Sequence, residues 1–244
     1  MSKQNCEKLP PFILREHFIN QIIPLHVYQT WYTKNLPPLM NTCREELKRQ
    51  NPAFTFHLYD DNECAEFIKK HFTIQVFNAY NSLIPGAYKA DLWRYCVLFV
   101  KGGIYLDIKL CTVNGFKLIQ LTTKEHFVKD RPTNSIYNAF IVCKPRNKLL
   151  LNSINTIVQN VRNKYYGNGP LDPTGPGLIG QLAMSDPTVN IDLSHYKDGG
   201  YIVYNNSFII STAYSEYERE RTELNNKIKR PRYDILWNKR RVYK

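Results

Sequence analysis

Asp91, Arg94, Asp107 and Lys109 fall within one short stretch, AYKADLWRYCVLFVKGGIYLDIK at 87–109. Carboxylates accept hydrogen bonds from hydroxyls, a guanidinium donates a planar fork, and an ammonium acts as a point charge. Asp91 and Arg94 are three residues apart and share one face of a helix. On an exposed face such a pair is worth only about 0.2–0.5 kcal/mol. Leu92, Trp93, Cys96, Val97, Phe99 and Val100 make the remainder of this helix apolar, so the spacing predicts burial. Gly102 and Gly103 supply the left-handed stop, and Ile104, Tyr105 and Leu106 form a short strand with Asp107 at its exit. Charged groups carried by so apolar an element converge on something polar, and a bound ligand is the natural candidate.

The surrounding elements read as a βαβ rhythm. Residues 22–29 form an apolar strand, and 39–50 a helix that follows Pro37-Pro38 and stops at Asn51-Pro52. A strand over 54–58 and a helix over 61–72, capped by Asp60 or Asp61, complete the pattern of a mainly parallel sheet flanked by helices. Ligands gather at the C-terminal ends of strands in such α/β sheets, where Gln29, Thr30, Trp31 and Asp107 all fall. Further on, strands are expected over 125–129, 136–143, 201–204 and 208–211. Helices are expected over 147–164 and 177–184, with a charged helical stretch from 215. With no linker or repeat in sight, the chain is expected to be one domain, 1–244, with an N-terminal extension over 1–21 and a basic C-terminal tail from about 215 that closes over the site.

The 87–109 stretch resembles glycosyltransferase family 32, whose pattern runs A-x-x-x-D-x-x-R-Y-x-x-L-x-x-x-G-G-I-Y-L-D-x-D. Asp91, Arg94, Tyr95, Leu98, Gly102, Gly103, Ile104, Tyr105, Leu106 and Asp107 match it, whereas Lys109 stands where the family has a second aspartate. IPLHVYQTW at 23–31 resembles the family's I-P-K-x-I-H-Q-T-W, and DPTGPGLIG at 172–180 resembles its later T-G-P segment. The resemblance implies a GT-A type, Rossmann-like fold. It also implies a retaining transferase that moves a sugar from a nucleotide-diphosphate-sugar, UDP- or GDP-linked, to a glycan, polysaccharide or lipid-linked hydroxyl. Asp91 and Arg94 would then contact the donor sugar, and Asp107 the ribose or sugar hydroxyls. Gln29, Thr30, Trp31, Tyr95, Gly103 and Tyr105 would line the donor. Asp172, Thr174 and Gly175 would face the acceptor, while Asp172 and its neighbours are also ordinary turn formers.

Lys109 leaves the family's divalent metal, manganese or magnesium, in question. Three readings follow: the ammonium replaces the ion on the diphosphate, a metal still binds through Asp107 and the diphosphate, or the chain binds donor without transferring it. Trp237, in Ile235-Leu236-Trp237, matches the tryptophan of the family's C-terminal segment and could donate its indole N–H to the β-phosphate or simply pack on the core. Leu236 takes the place of that segment's serine.

Composition narrows the rest. The chain has 244 residues, 43% hydrophobic and 22% charged, which suits a globular domain rather than a disordered one. Its net charge of +12 concentrates at 227–232 and 239–241. Such charge serves a diphosphate, a solvated face, an anionic membrane surface or nucleic acid; no nucleic-acid motif accompanies it, so nucleic acid is not expected. No apolar run reaches the roughly 18–20 residues of a membrane span, and the start MSKQNCEKLPPF lacks a signal-peptide core. The expectation is therefore a cytoplasmic or otherwise intracellular chain with at most peripheral membrane contact. Six cysteines without C-x-x-C spacing read as reduced, buried thiols.

Overall fold

The computed structural model describes residues 21–130, 134–228 and 231–244, leaving aside the side chains of 197 and 225–228. The expected extension at 1–21, Cys6 with it, lies almost wholly outside the described residues.

A nine-stranded sheet runs through them in the order β2-β1-β3-β6-β5-β7-β8-β9-β4. The strands are β1 (His26–Thr30), β2 (Thr55–Tyr59), β3 (Gly103–Leu106), β4 (Cys111–Thr112), β5 (His126–Lys129), β6 (Ile136–Cys143), β7 (Leu193–Tyr196), β8 (Tyr201–Tyr204) and β9 (Ser207–Ser211). The helices are α1 (Pro38–Gln50), α2 (Asp61–His71), α3 (Ile74–Ser82), α4 (Gly86–Lys101), α5 (Lys148–Arg162), α6 (Pro176–Met184), α7 (Tyr217–Ile228) and α8 (Tyr233–Asn238). β2, β1 and β3 are parallel, as the βαβ rhythm predicts, and β5 pairs in parallel with β7. The other pairings are antiparallel, so the sheet is mixed rather than mainly parallel. After β3 the chain returns without a helical crossover, and an antiparallel partner needs none.

The central strands are buried on both faces. In β3, Tyr105 points into the core beneath α4, whereas Ile104 and Leu106 enter the core on the opposite face. β6 alternates in the same way, with Ile141 and Cys143 on one face and Phe140 and Val142 on the other. α4 is sealed along most of its length, and Trp93, Tyr95, Cys96, Val97 and Leu98 have no accessible surface. It stops at Gly102, at φ 63°. Gly103 follows at φ 105°, and a Cβ there would lie 2.6 Å from the His26 carbonyl oxygen. The glycine pair thus ends α4 and lets β3 enter the sheet against β1.

Four elements escape the sequence pattern, the first being β4, a strand of only two residues. β7 is a short strand of mixed character, LSHY. α3 carries Ile, Val, Phe and Tyr with no side-chain cap, a composition that favours strands as readily as helices. α8 is a six-residue helix with no buried residue. The cysteine expectation also needs correction: Cys43 of α1 and Cys111 of β4 are disulfide-bonded, with Cα atoms 6.6 Å apart. They are 68 positions apart in sequence and meet only because α1 packs on the sheet's far edge. Disulfides persist in oxidising compartments, so the cysteines no longer argue for a reducing one. Cys64, Cys96 and Cys143 are buried free thiols. Among the described residues, no helix is long and apolar enough to cross a membrane.

Gly103→Ala should cost at least ~2 kcal/mol, because it adds backbone strain to a collision with a strand carbonyl. Urea denaturation checks this; a midpoint unchanged from the parent chain would count against the β1–β3 junction as drawn.

Candidate functional site

α4 presents Arg94 to the end of β3, where it is enclosed on every side. Its Nη2 lies 3.4 Å from Asp91 Oδ1 and 3.4 Å from Asp107 Oδ1. Nη1 donates to the Asn138 carbonyl at 2.7 Å, and Nε donates to Ala90 at 3.3 Å. The guanidinium carbon sits 4.3 Å from the centre of the Tyr105 ring. Burial opposes the charge, but Tyr105, Asp107 and Asp91 outweigh it and hold Arg94 protonated. The Tyr105 hydroxyl in turn donates to Asp107 Oδ1 at 2.8 Å.

Asp91 is held from the other side. Thr174 Oγ1 donates to its Oδ2 at 2.8 Å, and Asn138 Nδ2 donates to its Oδ1 at 2.9 Å. Burial raises its pKa above the ordinary 3.8, and Arg94, Thr174 and Asn138 restrain that rise without cancelling it. The Asn138 amide also donates to the Tyr95 hydroxyl at 2.7 Å. One amide therefore anchors both the carboxylate and the tyrosine behind it.

These groups line a cleft of about 530 Å³, within the roughly 300–1,000 Å³ range of small-ligand sites. Its walls come from the ends of β1, β3 and β5, the start of antiparallel β6, the loop before α6, and α7. This is the carboxyl edge of the parallel strands, as the sheet rule requires. Of the residues expected from sequence, Asp91, Arg94, Tyr105, Asp107, Lys109, Thr30, Trp31 and Gly175 line the cleft. The indole N–H of Trp31 is buried without a protein partner among the described residues.

The remaining expectations are met differently. Gln29 is fully buried behind the cleft wall, its amide without a partner among the described residues. Tyr95 is sealed in the core, and Gly103 serves the strand junction. Thr174 is buried and gives its hydroxyl to Asp91, so it supports the acid rather than facing an acceptor. The Asp172 carboxylate accepts from the Asn168 and Gly169 amides at 2.8 and 2.9 Å, which makes it the clasp of its own loop. Trp237 gives its indole N–H to the Tyr166 carbonyl at 2.7 Å and stands outside the cleft lining.

Other cleft residues went unforeseen. Asn138 is a lone amide in the apolar run IYNAFIVC, a signal that the sequence does carry. Asp130 lines the cleft while accepting from His195, the ring nitrogen being 2.8 Å away, and Tyr137 stacks on that imidazole at 4.3 Å. Tyr217, Arg221 and Leu224 lie at i, i+4 and i+7 on α7 and face the cleft together.

The residues present do not fit a divalent metal. Asp107 Oδ1 already accepts from Tyr105 and lies beside Arg94. Lys109, a cation with no lone pair to give, stands two residues beyond Asp107 and lines the same cleft. Among the described residues no three His, Cys, Asp or Glu side chains cluster as ligands would.

Comparison with known proteins agrees with this geometry. Residues 37–127 match the family model described as a glycosyltransferase sugar-binding region containing the DXD motif. A mannosyl phosphorylinositol ceramide synthase of Saccharomyces cerevisiae is 25% identical over 198 residues, covering 77% of this chain and 51% of its own length. An initiation-specific alpha-1,6-mannosyltransferase of Candida albicans is 29% identical over 91 residues, 35% of this chain and 24% of that protein. The chain thus spans about half or less of the length of these curated relatives. Among solved structures, the PaToxG glycosyltransferase superposes with a TM-score of 0.54 at 20% identity, covering 67% of this chain and 68% of the other, a likeness of fold. Residues 37–127, which hold Asp91, Arg94 and Asp107, are thus similar to the sugar-binding region of the DXD glycosyltransferases, and the chain around them has a GT-A fold.

Proposed function

We propose that the chain transfers a hexose from a nucleotide-diphosphate-sugar to a hydroxyl acceptor, with retention of anomeric configuration. The observation that carries this is the convergence of Asp91, Arg94 and Asp107 on one cleft at the carboxyl edge of the sheet. Carboxylates fixed there accept from sugar hydroxyls, and Arg94 holds the two acids in register. Mannose is the first donor sugar to try, because relatives over this region are named for mannosyl transfer. Their names also point to a lipid-linked or glycan acceptor.

In the reaction the acceptor oxygen bonds to the anomeric carbon on the face from which the diphosphate departs. The bond to the diphosphate oxygen breaks, and a phosphate oxygen takes the acceptor proton. The protein contributes positioning and fixed charge rather than a covalent nucleophile. A donor-binding chain without transfer activity is less favoured, since relatives over this region are named as a synthase and a mannosyltransferase. Nucleic acid is a poor occupant of a cleft that presents Asp91, Asp107 and Asp130 to its phosphates.

Asp91→Asn and Asp107→Asn should each lower donor hydrolysis by about a hundredfold or more, the usual loss when a fixed electrostatic contact is removed. Both should keep the parent's far-UV circular dichroism, and undiminished turnover in both would end the proposal. The stereochemical outcome is read by proton NMR of the first-formed product.

Acidification gives a separate check. Because burial holds the Asp91 pKa above 3.8, donor affinity should fall as pH drops through a midpoint higher than that of an ordinary aspartate. The stability contribution has the opposite sign. The folded pKa exceeds the unfolded one, so the folded form binds the extra proton between the two values and this group's contribution declines as pH rises. Asn138→Ala removes one restraint on the rise and should move the midpoint of donor binding to still higher pH. Titration calorimetry of the nucleotide-sugar at stepped pH follows it; a midpoint unmoved by the variant would remove Asp91 as the titrating group.

A further inference from the structure

The cleft holds two cations whose charges no carboxylate takes up. Lys109 Nζ lies 5.2 Å from the centre of the Tyr217 ring, and the Arg221 guanidinium carbon lies 5.7 Å from the same ring. Neither side chain forms an ion pair among the described residues. Arg232, also on the cleft wall, differs: its Nε is 3.1 Å from Asp234, which takes up its charge. Two like charges gathered around one aromatic ring repel each other, and the ring's negative face offsets that only in part. An anion between them would remove the conflict.

The seat of α7 shows that this placement is built in. Tyr217 is buried against Met40 and Ile108, where it anchors the first turn of the helix. One turn later, Glu220 accepts from the Leu39 and Met40 amides at 2.9 and 3.2 Å. Those are orphan donors at the start of α1, which has no side-chain cap of its own. Arg221 follows Glu220 directly and stands one turn beyond Tyr217, so the latch fixes its direction into the cleft.

We propose that Lys109, from the exit of β3, and Arg221, from α7, bind the pyrophosphate group of the donor as a pair and so perform the charge neutralisation that a divalent ion would otherwise perform. This rests on the donor reading above and assigns the phosphate end of that site. Arginine supplies a planar fork for phosphate oxygens and lysine a mobile point charge, a combination suited to two adjacent phosphates. The poor fit of Asp107 and its neighbours to a metal is then the expected counterpart of cations already supplied by the chain.

The test is titration calorimetry of the full chain with inorganic pyrophosphate, UDP and GDP, each in EDTA and again in manganese. The parent chain should bind pyrophosphate with the same affinity in both. Lys109→Gln and Arg221→Gln should each weaken it roughly tenfold or more, the scale of a lost charge-assisted hydrogen bond. Their melting temperatures should match the parent's in the absence of ligand. Lys109→Asp restores the second acid of the motif; it should bind poorly in EDTA and be rescued by manganese. Parent binding that requires manganese would overturn the pair while leaving the donor reading intact. So would Gln variants that bind pyrophosphate as tightly as the parent. If pyrophosphate, UDP and GDP all fail to bind under either condition, the pair falls together with the donor reading.

Discussion

A guanidinium enclosed by protein cannot shed its charge, and everything near Arg94 is arranged around that fact. Its side chain keeps only 6% of its accessible surface, and removing one partner from such a buried pair typically costs about 3–5 kcal/mol. The protein meets this with two carboxylates, two backbone carbonyls and the face of Tyr105. Three of these contacts come from different parts of the chain: α4, the exit of β3 and the start of β6. The charge therefore fixes the junction of those elements, and the junction fixes the cleft.

Asp91 shows the other side of the arrangement. Its oxygens meet Arg94, Thr174 and Asn138, yet burial still dominates and its proton is held more tightly than in water. A carboxylate so placed is under-solvated by the protein alone. Hydroxyls from a sugar would supply part of the missing solvation, so binding there relieves a cost that folding imposes. The loop before α6 takes part through Thr174, while Asp172 clasps that loop from behind by holding the amides of Asn168 and Gly169. A turn and a hydrogen-bond donor are thus supplied by adjacent positions with separate tasks.

What the sequence discloses follows from how local each feature is. The α4–β3 unit is readable because helix periodicity, a glycine stop and a strand lie within consecutive residues, and the structure places Asp91, Arg94, Tyr105 and Asp107 together there. Strand β6 matches its predicted bounds because its apolar run is continuous. Long-range facts are hidden. Nothing in residues 43 and 111 announces that α1 will lie against β4, and nothing in Thr174 says which acid it will reach across 83 positions. Gln29 and Trp237 illustrate the converse: a motif position names a residue, but the direction of its side chain depends on neighbours the motif does not contain. The antiparallel half of the sheet is equally non-local, since strand direction is set by partners rather than by pattern.

The departure at Lys109 connects these points. A metal site at the strand exit would need Asp107 to offer oxygen lone pairs free of competing cations, but Arg94 and Tyr105 already claim one oxygen. A second aspartate at 109 could offset that competition; a lysine adds to it. A second cation then comes from α7, where Arg221 lies against the same ring as Lys109. That makes the latch between Glu220 and the first amides of α1 part of the site's construction, although Glu220 itself does not line the cleft. The two sides of the cleft thus differ in kind: one is built around a buried guanidinium held by carboxylates, the other around half-buried cations held by an aromatic ring.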